Sequence, residues 1–216
     1  MDKPQIVKAL QSLRASASKR KFEQTVDCIL NLKDLDLKKP EGQVDLYIQL
    51  PHVNGQVRKL CALVGSELLE QSKKFCDKTI LSDDFKTFTD KKVIRKLAVE
   101  YTYFIAQANL MTEIAKVFGR TLGPRGKMPN PKAGAVIPAN ANLQATAERL
   151  RNTIRMSNKQ QASIKVTVGK EGMTDDILAD NILSAYQNTV SKLPSEKQNV
   201  REVLVKFTMS KPVKVQ

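Results

Sequence analysis

The sequence predicts an α/β protein of two domains, in which a discontinuous split β-α-β domain (α+β, rich in antiparallel strands) is interrupted by an inserted parallel α/β domain. Two observations lead to this prediction. Segments near both chain ends alternate apolar and polar residues with the period of two that half-buried strands have. The middle of the chain instead repeats short apolar strands and helices in turn, which favours a parallel sheet. We place the domains at residues 1–56 with 154–216, and at residues 57–153.

The first stretch of the chain predicts one helix followed by two strands. Asp2 and Pro4 suit a helix start, and the apolar residues after them recur at helical spacing. In both later segments every second residue is apolar, which favours antiparallel strands with one buried face. The apolar positions are Ile6, Val7, Leu10 and Leu13 in the helix, Val26, Cys28, Leu30 and Leu32 in the first strand, and Val44, Leu46, Ile48 and Leu50 in the second.

The middle stretch predicts three strands that alternate with helices. Its apolar run Leu60–Val64 is typical of a strand buried on both faces. Further strands are expected in the segments TILS and YFIA, with a helix between them that starts near Asp83. Asn109 is expected to cap the next helix and Gly119 to end it. The Gly- and Pro-rich segment from Gly119 onward is expected to be a loop.

The last stretch predicts a strand, a long helix that Thr174 caps, and a final strand. Each terminal stretch has about 60 residues and would be marginally stable alone, so we expect the two to form one domain. The alternating apolar residues are Ile164, Val166 and Val168 in the first of these strands and Val203, Val205 and Phe207 in the last.

The composition favours a nucleic-acid partner and excludes several kinds of chemistry. The chain of 216 residues has 36 Lys and Arg against 22 Asp and Glu, a net charge of +14, and attracts polyanions. The alternative is a basic protein whose charge serves solubility alone. One His excludes multi-His metal sites and a His-based triad within the chain, and the absence of a C-x-x-C pair argues against zinc. No apolar run approaches the ~18 residues that would span a membrane, and the three Cys favour the reducing cytoplasm.

Three segments are candidates for nucleic-acid binding, each with a structural alternative. Lys19-Arg20-Lys21 precedes Phe22 at a strand entrance, where cations meet phosphates and a ring packs on a base, unless Phe22 belongs to the core. The segment from Thr208 to Pro212 follows the last strand, where Met209 would usually serve packing. The Gly-rich loop at 119–134 has backbone amides that suit phosphates, unless it is an ordinary surface loop. Its cations are Arg120, Arg125, Lys127 and Lys132.

Nucleotide-cofactor motifs are absent from the chain. Neither G-x-x-x-x-G-K-[ST] nor G-x-G-x-x-G occurs. A phosphate-ester enzyme would need a cluster of carboxylates at strand ends, and Asp83 with Asp84 suits a helix N-terminus better. We therefore predict no cofactor, no metal and no catalytic residue.

Five segments, in order along essentially the whole chain, resemble the universal large-subunit ribosomal protein family of the lateral stalk, the L-one family, and its archaeal branch in particular. These segments are KRKFEQTV, LPHVNGQVRKL, LGPRGKMPNPKAG, VGKEGMTDDILADNI and VKFTM. The resemblance implies that residues 57–153 form a Rossmann-like domain without a dinucleotide. It also implies a hinge near residues 50–55 and 153–156.

The functional implication of this resemblance is a monomeric ribosomal component in the cytoplasm, with no membrane partner. Its first domain would bind the large-subunit rRNA at the stalk junction, and the mobile stalk would assist release of deacylated tRNA from the exit site. Repression of translation through its own mRNA is also implied. A free-standing translational repressor, or a general RNA-binding protein, remains the alternative.

The resemblance carries the family's RNA-binding positions onto particular residues of this sequence. These are Lys21, Phe22 and Thr25, then Gly169 and Lys170 of the V-G-K turn, then Thr208 and Met209. Ser210 and Lys211 stand where the usual pattern has Gly-Pro, and Lys211 could offer a phosphate contact in compensation. Glu202 stands where bacterial members have Ser. Lys165 is expected to neutralise a phosphate with Lys21 and Lys170.

Overall fold

The computed structural model describes residues 1–39, 42–88, 90–158 and 161–215. The chain forms two compact units, Met1–Gln56 with Asn152–Gln216, and Val57–Arg151. The helices are α1 (Lys3–Ser16), α2 (Leu69–Phe75), α3 (Lys91–Glu100), α4 (Met111–Leu122), α5 (Leu143–Asn152) and α6 (Asp175–Val190). The strands are β1 (Thr25–Leu32), β2 (Asp45–Gln49), β3 (Leu60–Val64), β4 (Lys78–Leu81), β5 (Tyr103–Gln107), β6 (Val136–Ile137), β7 (Thr153–Ser157), β8 (Ser163–Lys170), β9 (Val200–Phe207) and β10 (Val213–Lys214).

The first unit contains an antiparallel sheet with one covered face. Its strand order is β10-β9-β1-β8, so β1, from one end of the chain, lies between two strands from the other end. Helices α1 and α6 pack against the face that the apolar residues of β1 form. The alternate residues of β1 are only partly buried, as the period-two pattern predicts. The opposite face of the sheet is therefore open, and it carries mostly polar and charged side chains with Ile29 and Leu204 among them.

A two-stranded antiparallel sheet of β2 and β7 completes the first unit. Gln49 pairs with Thr153, and Ile48 pairs with Ile154. Ile48 and Ile154 are buried in the same core as α1 and α6. Residues 153–156, one of the two segments in which we predicted a hinge, lie in β7.

The second unit is built on a parallel sheet with the strand order β4-β3-β5-β6. Every residue of β3 is buried, as its unbroken apolar run predicts. Helices α3 and α4 cover it with an apolar stripe each, of which Ile94, Leu97, Ile114 and Phe118 are members. The predicted fold class, an antiparallel-rich split domain with an inserted parallel α/β domain, is confirmed.

Some local predictions for the second unit are wrong. Asp83 begins a 3₁₀ turn, Asp83–Thr87, and α3 starts only at Lys91, where Asp90 accepts from the Lys92 N–H at 2.8 Å. Helix α4 begins at Met111 and continues past Gly119 to Leu122, so neither Asn109 nor Gly119 bounds it. The apolar residues Phe118 and Leu122 bury one face of α4, and this packing outweighs the weak helix propensity of glycine. The Gly- and Pro-rich segment also contains β6, which pairs with β5.

The cysteines are free thiols that serve packing. Cys28 and Cys61 are completely buried, and burial raises the pKa of each thiol to about 12. A thiol with so high a pKa stays protonated and unreactive at neutral pH.

Candidate nucleic-acid interface

Two threonines that are far apart in sequence meet at one edge of the open sheet face. Thr25 begins β1, and Thr208 directly follows the end of β9. The Thr208 Oγ1 accepts from the Thr25 N–H at 3.0 Å, and the two hydroxyl oxygens are 3.0 Å apart. The Thr208 N–H in turn donates to the Thr25 carbonyl at 3.1 Å. The end of the last strand is thereby fixed to the start of the first.

The hydrogen bonds of this pair leave one donor unused. A threonine hydroxyl has one O–H and two acceptor lone pairs. Whichever hydroxyl donates to the other, the remaining O–H has no partner among the described residues. Both side chains are accessible to solvent, so this O–H can donate to an oxygen of a bound ligand.

The backbone beside the threonines is held by a buried amide side chain. Gln24 is 1% exposed, and its Oε1 accepts from the Met209 N–H at 3.2 Å. Its Nε2 donates to the Glu171 carboxylate at 3.3 Å, while the Glu171 N–H donates to the Gln24 carbonyl at 2.9 Å. Gln24 thus connects the turn after β8 with the turn after β9. The sequence contains no local signal for this connection, and the prediction of the site missed it.

An arginine of α1 fixes the turn that carries Glu171. The Arg14 guanidinium donates to the carbonyl oxygens of Glu171 and Met173 at 2.7 and 2.6 Å. It also donates to the Asp175 carboxylate at 2.7 Å, at the start of α6. Three charge-assisted bonds from one planar group allow this turn few alternative positions. Arg14 was likewise not among the predicted site residues.

Two large apolar side chains remain exposed beside the threonine pair in sequence. Phe22 is 52% and Met209 is 60% exposed. Phe22 therefore does not belong to the core, which removes the structural alternative for this ring. Lys21 is exposed as well. An apolar side chain without a core neighbour is available for contact with the flat face of a base or a ribose.

The predicted V-G-K turn is wrong, because Gly169 and Lys170 are the last two residues of β8, beside the start of β1. The two residues have different surroundings. Lys170 pairs in register with Thr25, and its ammonium is 2.9 Å from the Glu23 carboxylate. Exposed pairs of this kind contribute only about 0–1 kcal/mol, so a phosphate can compete for the lysine. Gly169 is buried, and a Cβ there would lie 2.4 Å from Leu178 Cδ2 and 2.9 Å from Met173 Sδ. The structure thus gives Gly169 a packing role.

The open sheet face extends the surface away from the threonines. Lys165 of β8 pairs in register with Ile29 of β1. Ile29 follows Thr25 by four strand residues, a distance of about 13 Å. Together with Lys206 of β9, Lys165 borders a shallow depression of 340 Å³. The Thr167 hydroxyl donates to Asp27 at 2.8 Å in the same depression. Lys206 was not predicted, although its alternation with Val205 and Phe207 places it on this face.

The residues that depart from the family pattern have local roles in the structure. The Ser210 Oγ accepts from the Phe207 N–H at 2.9 Å, and so stabilises the turn after β9. Lys211 follows it and is exposed. The Glu202 carboxylate accepts from the Asn31 side chain at 2.8 Å. Since Glu202 precedes Thr208 by six residues of strand, it lies about 20 Å from the threonine pair.

The four cations of the predicted second surface, at residues 119–134, differ in their surroundings. Two of them bind backbone carbonyls, and the other two are exposed. Lys127 Nζ donates to the Tyr101 carbonyl at 2.7 Å, and burial with the nearby Arg125 charge lowers the pKa of this lysine. Arg125 donates to the Arg95 carbonyl at 3.1 Å. Arg120 and Lys132 are exposed, but Arg120 lies in the last turn of α4 and not in a loop as predicted. Two of the four cations therefore hold the loop against the unit.

In the second unit a buried glutamine lies where a parallel α/β sheet usually has its ligand crevice. Such crevices lie beyond the carboxyl ends of the strands, where the strand order reverses, here between β3 and β5. Gln107 is buried there, with its Oε1 accepting from the Gly65 N–H at 2.8 Å and its Nε2 donating to Glu67 at 3.2 Å. A 3₁₀ turn, Ser66–Leu68, follows β3 in place of a glycine-rich phosphate loop.

Metal clusters and membrane-spanning helices are both missing from the described part of the chain. Within 1–39, 42–88, 90–158 and 161–215, no three His, Cys, Asp or Glu side chains are grouped closely enough to hold a metal ion. In the same ranges, no helix combines the length and apolar character that crossing a membrane requires.

Comparison with known proteins gives one consistent result. A model of the ribosomal protein L1p/L10e family matches residues 13–211. The chain is 41% identical over 201 residues to the large ribosomal subunit protein uL1 of Nanoarchaeum equitans, which covers 91% of this chain and 93% of that protein. It is 37% identical over 218 residues to the protein of the same name from Methanothermococcus thermolithotrophicus, with 100% of both chains covered. For Methanocaldococcus jannaschii the identity is 33%, over 100% of this chain and 96% of that protein.

Proposed function

Since this chain belongs to the ribosomal protein L1p/L10e family, we infer that it is a structural, non-enzymatic component of the large ribosomal subunit and acts in translation in the cytoplasm. The match extends over nearly all of the chain, so the inference covers both units. The net charge of +14 suits a protein whose neighbours are polyanionic.

We propose that the surface around Thr25 and Thr208 binds the large-subunit rRNA at the junction of the lateral stalk. The observation that carries this proposal is the threonine pair itself, with its one unused hydroxyl donor at the edge of an open sheet face. A ribose 2′-hydroxyl is both donor and acceptor, so a hydroxyl pair can bind RNA at a position where DNA offers no partner.

The other predicted residues have distinct parts in this binding. Phe22 and Met209 contact bases and sugars through their exposed apolar surface. Lys21, Lys165 and Lys170 neutralise phosphates and set the position of the RNA on the sheet. Lys206 adds a further cation on the same face. Gln24 and Arg14 hold the two turns in place, and so reduce the entropy lost on binding.

Two further proposed roles are the release of tRNA and the regulation of translation. We propose that the second unit moves about the hinge near residues 50–55 and 153–156 and assists the release of deacylated tRNA from the exit site. Its exposed cations Arg120 and Lys132 are available for contact with tRNA. We also propose that the threonine surface binds the protein's own mRNA and represses its translation, since an mRNA with the same fold would meet the same contacts.

Binding to a stalk-junction rRNA fragment, compared with a scrambled RNA of equal length, tests the proposed site. The two titrations are repeated from ~50 to ~300 mM salt, a range in which affinity from phosphate contacts alone falls steeply. We expect the junction fragment to keep tight binding at high salt while the scrambled RNA is lost. A junction-like fragment of the mRNA leader, measured in parallel, tests the repressor role.

A general RNA-binding protein would give a different result. If both affinities fall together with one slope, charge alone binds the RNA, and the roles assigned to Phe22, Thr208 and Met209 are wrong.

A further inference from the structure

A groove lies between α3 and α4 in the second unit, and Arg120 is the one residue of the predicted RNA surfaces that borders it. Its volume is 380 Å³. Its wall is apolar, because Phe85 and Phe88 both pack against Phe118 with ring centroids 5.5 Å apart, and Ile94 and Val117 lie beside them.

Four cations and no acid line this groove. Lys116 and Arg120 are one turn apart on α4, about 6 Å along the helix axis, and so lie on the same face. Lys86 and Lys91 come from the opposite side, in the 3₁₀ turn and at the start of α3. Among the described residues, none of these four side chains has a carboxylate or hydrogen-bond partner. Asp90, the nearest acid to Lys91 in sequence, is occupied in capping α3.

Unpaired like charges around an apolar wall are unfavourable unless a ligand compensates them. Two cations one turn apart on a helix repel each other by a few tenths of a kcal/mol. An anionic partner with an apolar face would relieve the repulsion and cover the partly exposed Phe88 ring at the same time. The groove therefore has the two properties by which proteins bind single-stranded nucleic acid, a basic rim and an accessible aromatic ring, here the partly exposed Phe88.

We propose that the groove between α3 and α4 binds an RNA strand, with Lys86, Lys91, Lys116 and Arg120 on its phosphates and Phe88 against a base or ribose. This proposal rests on the ribosomal function, because that function places RNA beside the protein. An acidic peptide would satisfy the charges but offers carboxylates without a flat apolar face. A single nucleotide would engage one or two of the four cations and leave the others unpaired.

Amine labelling followed by mass spectrometry of the full chain tests the proposal residue by residue. The probe is a short oligouridylate, compared with uridine monophosphate at equal phosphate concentration and with a polyglutamate peptide. We expect the oligouridylate to slow acylation of Lys86, Lys91 and Lys116 several-fold. Lys73 and Lys74 of α2, exposed in the same unit, are the internal reference and keep their rate. Equal protection by polyglutamate or by the mononucleotide would overturn the proposal, and so would no protection at all.

A matched pair of double variants provides the second measurement. Lys116→Gln with Arg120→Gln should raise the Kd for the oligouridylate roughly tenfold and lower the slope of log K against log salt by about 1.4, for two lost phosphate contacts. Lys73→Gln with Lys74→Gln removes the same charge from α2 and should leave the Kd unchanged. An equal rise of the Kd in both double variants would show that the net charge of the protein, and not the groove, binds the oligouridylate.

Binding of the stalk-junction fragment separates this proposal from the proposed function. Both double variants should keep their affinity for that fragment, because its contacts lie in the first unit. If the variant with Lys116→Gln and Arg120→Gln loses oligouridylate binding but keeps binding of the junction fragment, the result supports RNA binding in the groove. Weak junction binding by the unmodified chain would instead count against the ribosomal site, whatever the labelling pattern.

Discussion

The threonine pair has a structural role in the hydrogen bonds of the fold and, in our proposal, a binding role as well. The Thr208 Oγ1 lies 3.0 Å from the Thr25 nitrogen and 3.0 Å from the Thr25 Oγ1. One of the two hydroxyl groups still has an O–H that can donate to a ligand. Removing a hydroxyl therefore affects both the ligand contact and the backbone donor that it satisfies. A free backbone N–H in a contact surface must be compensated by water or by the RNA.

Thr208→Ala should weaken binding of the stalk-junction RNA by roughly 5–30-fold, about 1–2 kcal/mol, because the Thr25 N–H loses its acceptor and the unused donor disappears. Filter binding or calorimetry measures the change. Thr208→Ser keeps the hydroxyl and should retain most of the affinity. An Ala variant that unfolds by circular dichroism, or that binds like the Ser variant, would contradict the role of the hydroxyl.

Gly169→Ala should destabilise the first unit by about 1–3 kcal/mol, because the new Cβ overlaps the Leu178 side chain of α6. Urea unfolding followed by circular dichroism measures this free energy. Gly172→Ala is the matched control, since its Cβ would meet only the far end of the Glu23 side chain at 3.1 Å. Equal stability of the two variants would mean that α6 shifts to accommodate the methyl group.

At the scale of elements, the proposed site combines the open face of the sheet with the two turns that follow β8 and β9. The turn after β8 carries Glu171, and the turn after β9 carries Met209 and Ser210. Gln24 bridges them, and Arg14 fixes the first from α1. The turns therefore depend on side chains from distant segments for their positions, and a substitution there should loosen them without unfolding the sheet.

Gln24→Ala should speed amide exchange at Met209 and lower RNA affinity, because the Met209 N–H loses its only observed acceptor among the described residues. The expected cost in stability is about 1–2 kcal/mol for these buried bonds. Hydrogen exchange by NMR reports the Met209 amide directly. Glu23→Ala is the neighbouring control and removes only an exposed ion pair, for about 0–1 kcal/mol. Unchanged exchange at Met209 in the Gln24 variant would argue against the bridge.

The element predictions succeeded where periodicity was long and failed at helix ends. The strands β1, β8 and β9 follow their period-two patterns, with Val26, Val166 and Val205 buried. The ends of α4 were misplaced, because capping preferences of about 1 kcal/mol are smaller than the burial of Phe118 and Leu122. Short strands such as β6 carry too few residues for a pattern and are specified by their pairing with β5.

At the scale of the whole molecule, the insertion leaves and re-enters the first unit at adjacent strands. Gln49 pairs with Thr153, and the Leu50 N–H approaches the Asn152 carbonyl at 3.4 Å. Asn181 of α6 holds the segment after β2 through the His52 backbone at 3.0 Å, and Asn54 donates to the Thr167 carbonyl at 3.1 Å. The segments that flank the insertion are thus bonded to residues of the first unit itself.

Replacing residues 57–151 by a short Gly-Ser linker should give a protein of about 120 residues that folds and binds the stalk-junction RNA within about threefold of the full chain. The linker adds little entropic cost to folding, since the entropy of loop closure grows only slowly with loop length. Thermal unfolding and the same RNA titration measure the outcome. A variant that folds but binds much more weakly would assign part of the junction contact to the second unit.

The sequence by itself determined the fold class and the basic character of the chain, and it predicted the general position of the proposed interface. Alternation and apolar runs set which faces are buried. Because apolar burial is the largest favourable contribution to the free energy of folding, the buried faces can be predicted without knowledge of tertiary contacts. The resemblance to the family located Thr25, Thr208 and Met209.

Tertiary structure alone decided that Gln24 and Arg14 position the turns, and that Lys127 binds a carbonyl instead of solvent. It alone brought the four cations together between α3 and α4. The reason is physical: hydrogen bonds and charge clusters depend on residues that are adjacent in space but distant in the chain, and a sequence pattern records only local spacing.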